Sequence, residues 1–177
     1  LPLDQKKSAV HVGKIVNDHN KELPEGIRKI CRKYKCSPFV LLLSAFQTTL
    51  HCITDEKDIM VGVPYAGQQK FLMKSLVGNC TVINRIKVMF DAETTLAKII
   101  AENNKILKLY SDNFGKEYLK TANDTKANII FNFDRIPNVE SFKNAEVDLI
   151  PIEEQDSAYD LFVNISELNE NMIIETV

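Results

Sequence analysis

Residues 36–67 read CSPFVLLLSAFQTTLHCITDEKDIMVGVPYAG, and within them a histidine and an aspartate stand four apart, His51 and Asp55. That spacing is the skeleton of a His-x-x-x-Asp pair, in which an imidazole handles the proton of an attacking nucleophile during acyl transfer. A general base of that kind has to be held within about 3 Å of the proton it takes. Here the pair follows a long apolar run and overlaps Thr54, Asp55, Glu56 and Lys57, a polar tetrad that ends a helix. An imidazolium at a helix C-terminus is favoured by the helix dipole, so His51 reads as a helix end rather than a catalytic base. His11 and His19 flank a predicted strand and are expected to face solvent.

The other reactive side chains show no constellation. Ser44, Ser75, Ser157 and Ser166 have no histidine and acid at nucleophile-elbow spacing. Ser44 lies in an apolar helix, where a hydroxyl bonds back to a helix carbonyl. Cys31, Cys36, Cys52 and Cys80 form no C-x-x-C, and the three histidines miss zinc-finger spacing, so no metal site is expected. Cysteines without a pattern point to reduced thiols and a cytoplasmic setting. There is no Walker loop and no G-x-G-x-x-G to cradle a nucleotide.

The elements that position these residues follow from pattern. With 177 residues, 45 % of them hydrophobic and 26 % charged, the chain can bury a real core. The net charge of −2 with both signs mixed leaves no basic stripe for nucleic acid. No apolar run approaches the ~20 residues of a membrane span, and LPLDQKKSAV at the start lacks a signal peptide's apolar stretch.

Val10, Val12, Ile15 and Val16 predict a first strand. Leu23 and Pro24 open a helix with Ile27, Ile30, Cys31 and Tyr34 at helical spacing. Ser37 then caps a second helix with Pro38 in its first turn. Strands are predicted over 58–63 and 80–88, with Pro64 opening a loop between them. A long helix starts at Thr94, and residues 113–125 are irregular. Strands follow over 128–133, 146–152, 159–166 and 172–177. The uncapped final strand and the linker-like start mark a fragment whose sheet wants a neighbour.

With the order of elements in place, five stretches coincide with a known family. LPLDQKK at 1–7 looks like a Pro-x-Asp linker, and SPFVLLLSAFQTTL at 37–50 is similar to a buried helix carrying Ala-Phe-Gln. DIMVGVPYAG at 58–67 looks like a strand and Gly-x-Pro-x-Ala-Gly loop. SLVGN at 75–79 resembles a Leu-Ile-Gly turn, and YDLFVNISE at 159–167 a Phe-Asp-Leu strand. In this order and spacing they resemble the C-terminal half of nonribosomal peptide synthetase condensation domains, of the chloramphenicol-acetyltransferase-like superfamily.

The resemblance implies an α/β fold: one lobe of a two-lobed sandwich, a mixed β-sheet flanked by helices. Residues 1–9 would be the linker from a missing N-terminal lobe and 10–177 the C-terminal lobe of a truncated condensation domain. The implied reaction forms an amide bond between a donor acyl or peptidyl thioester and an acceptor aminoacyl thioester. Both ride on phosphopantetheine arms of carrier proteins, with no other cofactor. The implied partners are the N-terminal lobe and the carrier domains, with neither nucleic acid nor membrane. The family's His-His-x-x-x-Asp-Gly signature belongs to the other half and is absent here, so the fragment is expected to be inactive alone.

The resemblance also implies which residues border the substrate tunnel. Gly62, Pro64, Tyr65 and Gly67 fall on the segment that crosses to the other lobe. Gly62 and Gly67 suit tight or left-handed turns, Pro64 stiffens the crossing, and Tyr65 is an exposed aromatic without its partner lobe; an ordinary turn after a buried strand explains the Gly and Pro equally. Val82 stands where relatives have a substrate-facing Asn, and Gln68 where they have Arg. Ser157 is a further tunnel residue. Asp160, on an inner strand, is either a hydrogen-bonded structural carboxylate or tunnel-facing. The LYSDNFGKEYLK stretch at 109–120 replaces the family's His-Gln and Pro-Phe segment. Arg28, Lys29, Arg32 and Lys33 form a basic helix face, either merely solvated or a dock for an acidic carrier. Two other readings stay open: a non-catalytic module of the same fold that recruits a carrier or partner enzyme, and an unrelated α+β binding domain, which an all-antiparallel sheet would favour.

Overall fold

The computed structural model describes residues 13, 15–19, 22–66, 81–113, 127–135, 159–168 and 171–177. The linker at 1–9, the SLVGN turn, Cys80, the irregular stretch from 114 and the strand expected over 146–152 lie outside the described residues.

Helix α1 (Glu22–Tyr34) carries Glu22 and Glu25 in its first turn and Arg32 and Lys33 in its last, each complementing the helix dipole. Its Pro24, Ile27 and Cys31 are buried. Lys35 ends it in the left-handed region (φ 51°), and the Cys36 N–H donates to the Cys31 carbonyl at 3.1 Å. That is a Schellman stop.

Helix α2 (Pro38–Thr54) begins where the sequence says it should. Ser37 is extended, its Oγ accepts from the Val40 N–H at 3.2 Å, and Pro38 needs no partner for a missing N–H. Asp55 stops it at φ 57°, its N–H donating to the His51 carbonyl. Helix α3 (Leu96–Asn113) starts two residues later than expected, because Thr95 caps it and Asp91 and Thr94 lock the turn before it.

The strands are β1 (Ile15–His19), β2 (Asp58–Ala66), β3 (Thr81–Met89), β4 (Ile129–Arg135), β5 (Leu161–Leu168) and β6 (Asn171–Thr176), forming one six-stranded sheet in the order β1-β6-β5-β4-β2-β3. The pairs β2/β4 and β4/β5 are parallel and the rest antiparallel. This mixed sheet removes the all-antiparallel alternative. Strand β1 takes in the expected Ile15 and Val16, runs on to His19 and is mostly exposed, as an edge strand, while Val10 and Val12 lie outside the described residues.

The core forms where the helices cover the sheet. Phe131 of β4 meets Phe39 edge-on at 5.7 Å and stacks on Phe46 at 5.5 Å, both on α2. Alternate residues of the neighbouring strands (Val61, Ile86, Val88, Val163 and Ile165) are buried on that same side. Among the described residues no single helix is long and apolar enough to cross a membrane.

Strand β2 overturns the expectation that Pro64 opens a loop. It continues to Ala66, with Pro64 opposite Ile83. The Phe90 N–H donates to the Lys57 carbonyl at 2.8 Å. Odd-numbered positions of β2 therefore hydrogen-bond β3, while even ones, Pro64 among them, point toward β4. The β2/β4 pairing is a single bridge at Gly62 and Ile130, so no ladder partner waits for an N–H at position 64. A proline costs nothing there.

Candidate functional site

The same single bridge creates a cleft. Strand β4 pairs with β5 over all seven of its residues but with β2 only once, and beyond Gly62 residues 63–65 and 132–134 line a cleft between them. The gap is a cleft of about 590 Å³ at the carboxyl ends of these parallel strands. Ligands of open α/β sheets collect outside such carboxyl ends. Val63, Pro64 and Tyr65 form one wall and Asn132, Phe133 and Asp134 the facing one. Ser37, Phe39 and Val40 bring the start of α2 to it, and Leu107 and Tyr110 the end of α3.

Its lining mixes apolar side chains, such as Val40, Val63 and Leu107, with polar ones, such as Asn84, Asn132 and Asp134. The Asn132 Nδ2 donates to Asp134 Oδ2 at 2.6 Å and to Asn164 Oδ1 at 3.0 Å, which holds the β4 wall in place. The Tyr110 hydroxyl donates to the Arg85 carbonyl at 2.8 Å and ties the end of α3 to β3. Hydrogen-bond donors and acceptors thus stand among apolar side chains, the composition of a small-molecule site.

Of the residues singled out from sequence, Pro64 and Tyr65 line the cleft. Tyr65 is half-buried there, not the exposed aromatic expected. Gly62 occupies no turn. It is buried in the middle of β2, where a Cβ would meet Ile130 Cδ1 at 2.5 Å, Ile83 Cγ2 at 2.8 Å and Ala127 Cβ at 2.9 Å. Its role is close packing. Val82 pairs with Tyr65 and is half-buried without lining the cleft, while Thr81 and Asn84 of the same strand reach it. Asp160 is not on an inner strand. It is exposed in the bend before β5, and its N–H donates to the Asn128 carbonyl at 2.9 Å. Gly67, Gln68 and Ser157 lie outside the described residues.

His51 is confirmed as a helix end. Its Nδ1 lies 2.7 Å from the Glu56 carbonyl, which only accepts, so that nitrogen carries the hydrogen. Its ring stacks on Phe90 at 4.4 Å. Asp55 contributes its backbone N–H to the His51 carbonyl. The cleft sits at the other end of α2, roughly 18 Å away from His51 at 1.5 Å per residue.

A buried polar bridge escaped the sequence reading. Asn103 of α3 donates to Ser44 Oγ at 2.9 Å and to Gln47 Oε1 at 2.8 Å. The Ser44 hydroxyl donates to the Val40 carbonyl at 2.7 Å, and Gln47 reaches the Ile86 carbonyl at 3.4 Å. Ser44 is therefore fully engaged and no nucleophile. Asn103 Oδ1 is buried with no donor among the described residues. The available signal was an asparagine on the apolar stripe of Ile99, Ile100, Ile106 and Leu107. On the basic face of α1, Arg28 is bound to Glu167 at 3.3 Å, and Arg32 donates to the Arg28 carbonyl. Among the described residues no three His, Cys, Asp or Glu side chains gather to hold a metal.

A family model for the Condensation domain matches residues 1–177, the whole chain. The chain belongs to the Condensation domain family. A linear gramicidin synthase of Brevibacillus parabrevis is 33 % identical over 81 residues, covering 44 % of this chain and 2 % of its own length. This Condensation domain chain also superposes on the first condensation domain of the calcium-dependent antibiotic synthetase, solved with a substrate analogue. There the TM-score is 0.67 at 13 % identity over 95 % of this chain and 40 % of that one. The X-domain from teicoplanin biosynthesis, solved in complex with OxyB, gives a TM-score of 0.75 at 10 % identity, over 99 % of this chain and 42 % of its own. These superpositions show the chloramphenicol-acetyltransferase-like fold. The Condensation domain chain spans a few per cent of its curated relatives and about two fifths of these solved chains.

Proposed function

We propose that this chain is the C-terminal lobe of a nonribosomal peptide synthetase condensation domain, and that the whole domain forms amide bonds. The amine of an acceptor aminoacyl thioester attacks the carbonyl of a donor acyl or peptidyl thioester. A C–N bond forms, the C–S bond breaks, and the donor's phosphopantetheine arm leaves as a thiol. The amine's proton goes to a histidine on the other lobe. Acyl and peptidyl carrier proteins deliver both arms in the cytoplasm.

The observation that carries this reading is a family match over residues 1–177 of a chain that spans only two fifths of solved members. The position of His51 supports it, since that imidazole stands in the last turn of α2 while the cleft is lined by the first. This lobe supplies shape. Pro64 and Tyr65, with Gly67 following, form the crossing segment beside the cleft, and Gly62 lets it pack tightly. Val82 backs Tyr65 from β3. By resemblance to the family Ser157 is a further tunnel residue, and Asp160 joins the bend before β5 to Asn128 through its backbone N–H.

A second reading has one observation in its favour. The X-domain, solved in complex with OxyB, shares this fold, and Val82 and Gln68 depart from the expected pattern. On that reading the lobe belongs to a non-catalytic module that recruits a partner enzyme.

The deciding experiment uses the full-length parent with loaded carrier proteins and follows amide formation by mass spectrometry. Product formation that vanishes when the upstream catalytic histidine is replaced supports the enzyme reading. No product with an intact donor and acceptor supports recruitment. Turnover by residues 1–177 alone would overturn the division of labour between the lobes.

A further inference from the structure

Two cysteines meet at the elbow between α1 and α2, where the helix axes turn by 96°. The Schellman stop brings them together. Cys31 is the residue whose carbonyl accepts the closing hydrogen bond, and Cys36 is the residue whose N–H donates it, at 3.1 Å. In that motif these two positions place their side chains against each other. Standard bond lengths on either side of that hydrogen bond keep the two α-carbons no more than about 7 Å apart. A disulfide spans about 4.4–6.8 Å between α-carbons.

The environments of the two thiols differ. Cys31 is buried and Cys36 half-buried, and both are free thiols. Burial, then the charge of Cys36, then the hydrogen bond that the Cys31 thiol donates to the Cys36 sulfur push the Cys31 thiol up to about 11. Cys31 therefore stays protonated while Cys36 is the sulfur a reagent reaches.

We propose that Cys31 and Cys36 form a dithiol modification site that takes a small disulfide oxidant, such as oxidised glutathione, and closes to an intrachain disulfide. The Cys36 thiolate attacks one sulfur of the oxidant, forming a mixed disulfide and releasing one glutathione thiolate. Cys31 loses its proton to solvent and attacks the Cys36 sulfur. The Cys31–Cys36 bond forms and the second glutathione leaves. Two thiols are oxidised and one disulfide is reduced. The closed bond fastens the end of α1 to the residue before Ser37, whose side chain caps α2 and borders the cleft. Oxidation would thus stiffen one wall of that cleft.

The test treats the 177-residue chain with oxidised glutathione, quenches with acid, alkylates and maps the peptides. The expected product is a Cys31–Cys36 cross-link, while the exposed Cys52 carries a single glutathione. In urea the cross-link should form at least tenfold more slowly, because the cap no longer holds the pair. In Cys36→Ser, Cys31 should resist glutathione. A stable glutathione adduct on Cys36 with Cys31 free would overturn the proposal. So would a pair left reduced while Cys52 reacts, equal cross-linking in urea, or unchanged Cys31 modification in C36S.

Discussion

Replacing Gly62 with alanine adds one methyl group at the point where β2 and β4 touch. All three nearest atoms lie under 3.0 Å from the new Cβ. They do not yield equally. Ile83 is 40 % exposed and its methyl can swing outward, but Ile130 is only 1 % exposed and has nowhere to go. Ala127 offers a Cβ fixed to backbone, so the strand itself must shift. Overpacking of this kind costs about 1–3 kcal/mol. The stiffer unfolded chain of alanine offsets roughly 0.5–1 kcal/mol of it. A net loss of about 1 kcal/mol follows, which for a chain of this size lowers the melting midpoint by about 2–4 °C. Gly26 provides the opposite sign in the same molecule. It is exposed on α1 with nothing within 4 Å of an added Cβ. G26A should gain about 1 kcal/mol from helix propensity alone. Thermal melts followed by far-ultraviolet circular dichroism compare the two. A G62A midpoint equal to or above that of the unaltered chain would refute the packing argument.

Three further outcomes are expected. Asn103→Ala strips the Gln47 side-chain oxygen of its donor and opens a hole between α2 and α3, costing about 3 kcal/mol in urea unfolding. His51→Ala removes the hydrogen bond to Glu56 and the stack on Phe90, losing about 1 kcal/mol of stability. The same change should leave amide formation by the parent within about twofold of its original rate, since an imidazole outside the chemistry moves only stability. Asp91 is held below its usual 3.8 first by the Thr94 hydroxyl and next by the Glu93 N–H. A depressed carboxyl stabilises the fold fully above the unfolded value and loses that contribution as pH falls through the lower folded one. Urea midpoints between about pH 5 and 2 should therefore fall less steeply in Asp91→Asn than in the unaltered chain.

The helix boundaries were legible because their determinants are local. Ser37, Pro38 and Val40 satisfy the start of α2 within four residues, and Asp55 and His51 close its end. The same locality made His51 readable as a cap, since the groups it binds, Glu56 and its own helix, are near in sequence. Five ordered stretches were enough to indicate the family and the mixed α/β fold. Residues whose meaning depends on a distant strand were misread. Pro64 looks like a loop opener until β4 is seen to leave β2 after Gly62. Gly62 looks like a turn residue until Ile130 and Ala127 close over it. Asp160 looks like an inner-strand carboxylate until β5 is seen to begin one residue later.

By itself, then, the order of residues determined the start and end of α2, which family the chain resembles, and that His51 stands at a helix end. Only the tertiary structure decided that β2 and β4 part company to leave a cleft and that Asn103 bridges two helices. The physical reason is range. A cap or a turn is satisfied by groups within a few positions, so its signal is written beside it. A missing ladder partner or a filled contact at Gly62 is set by a strand almost seventy residues away, and no local pattern encodes it.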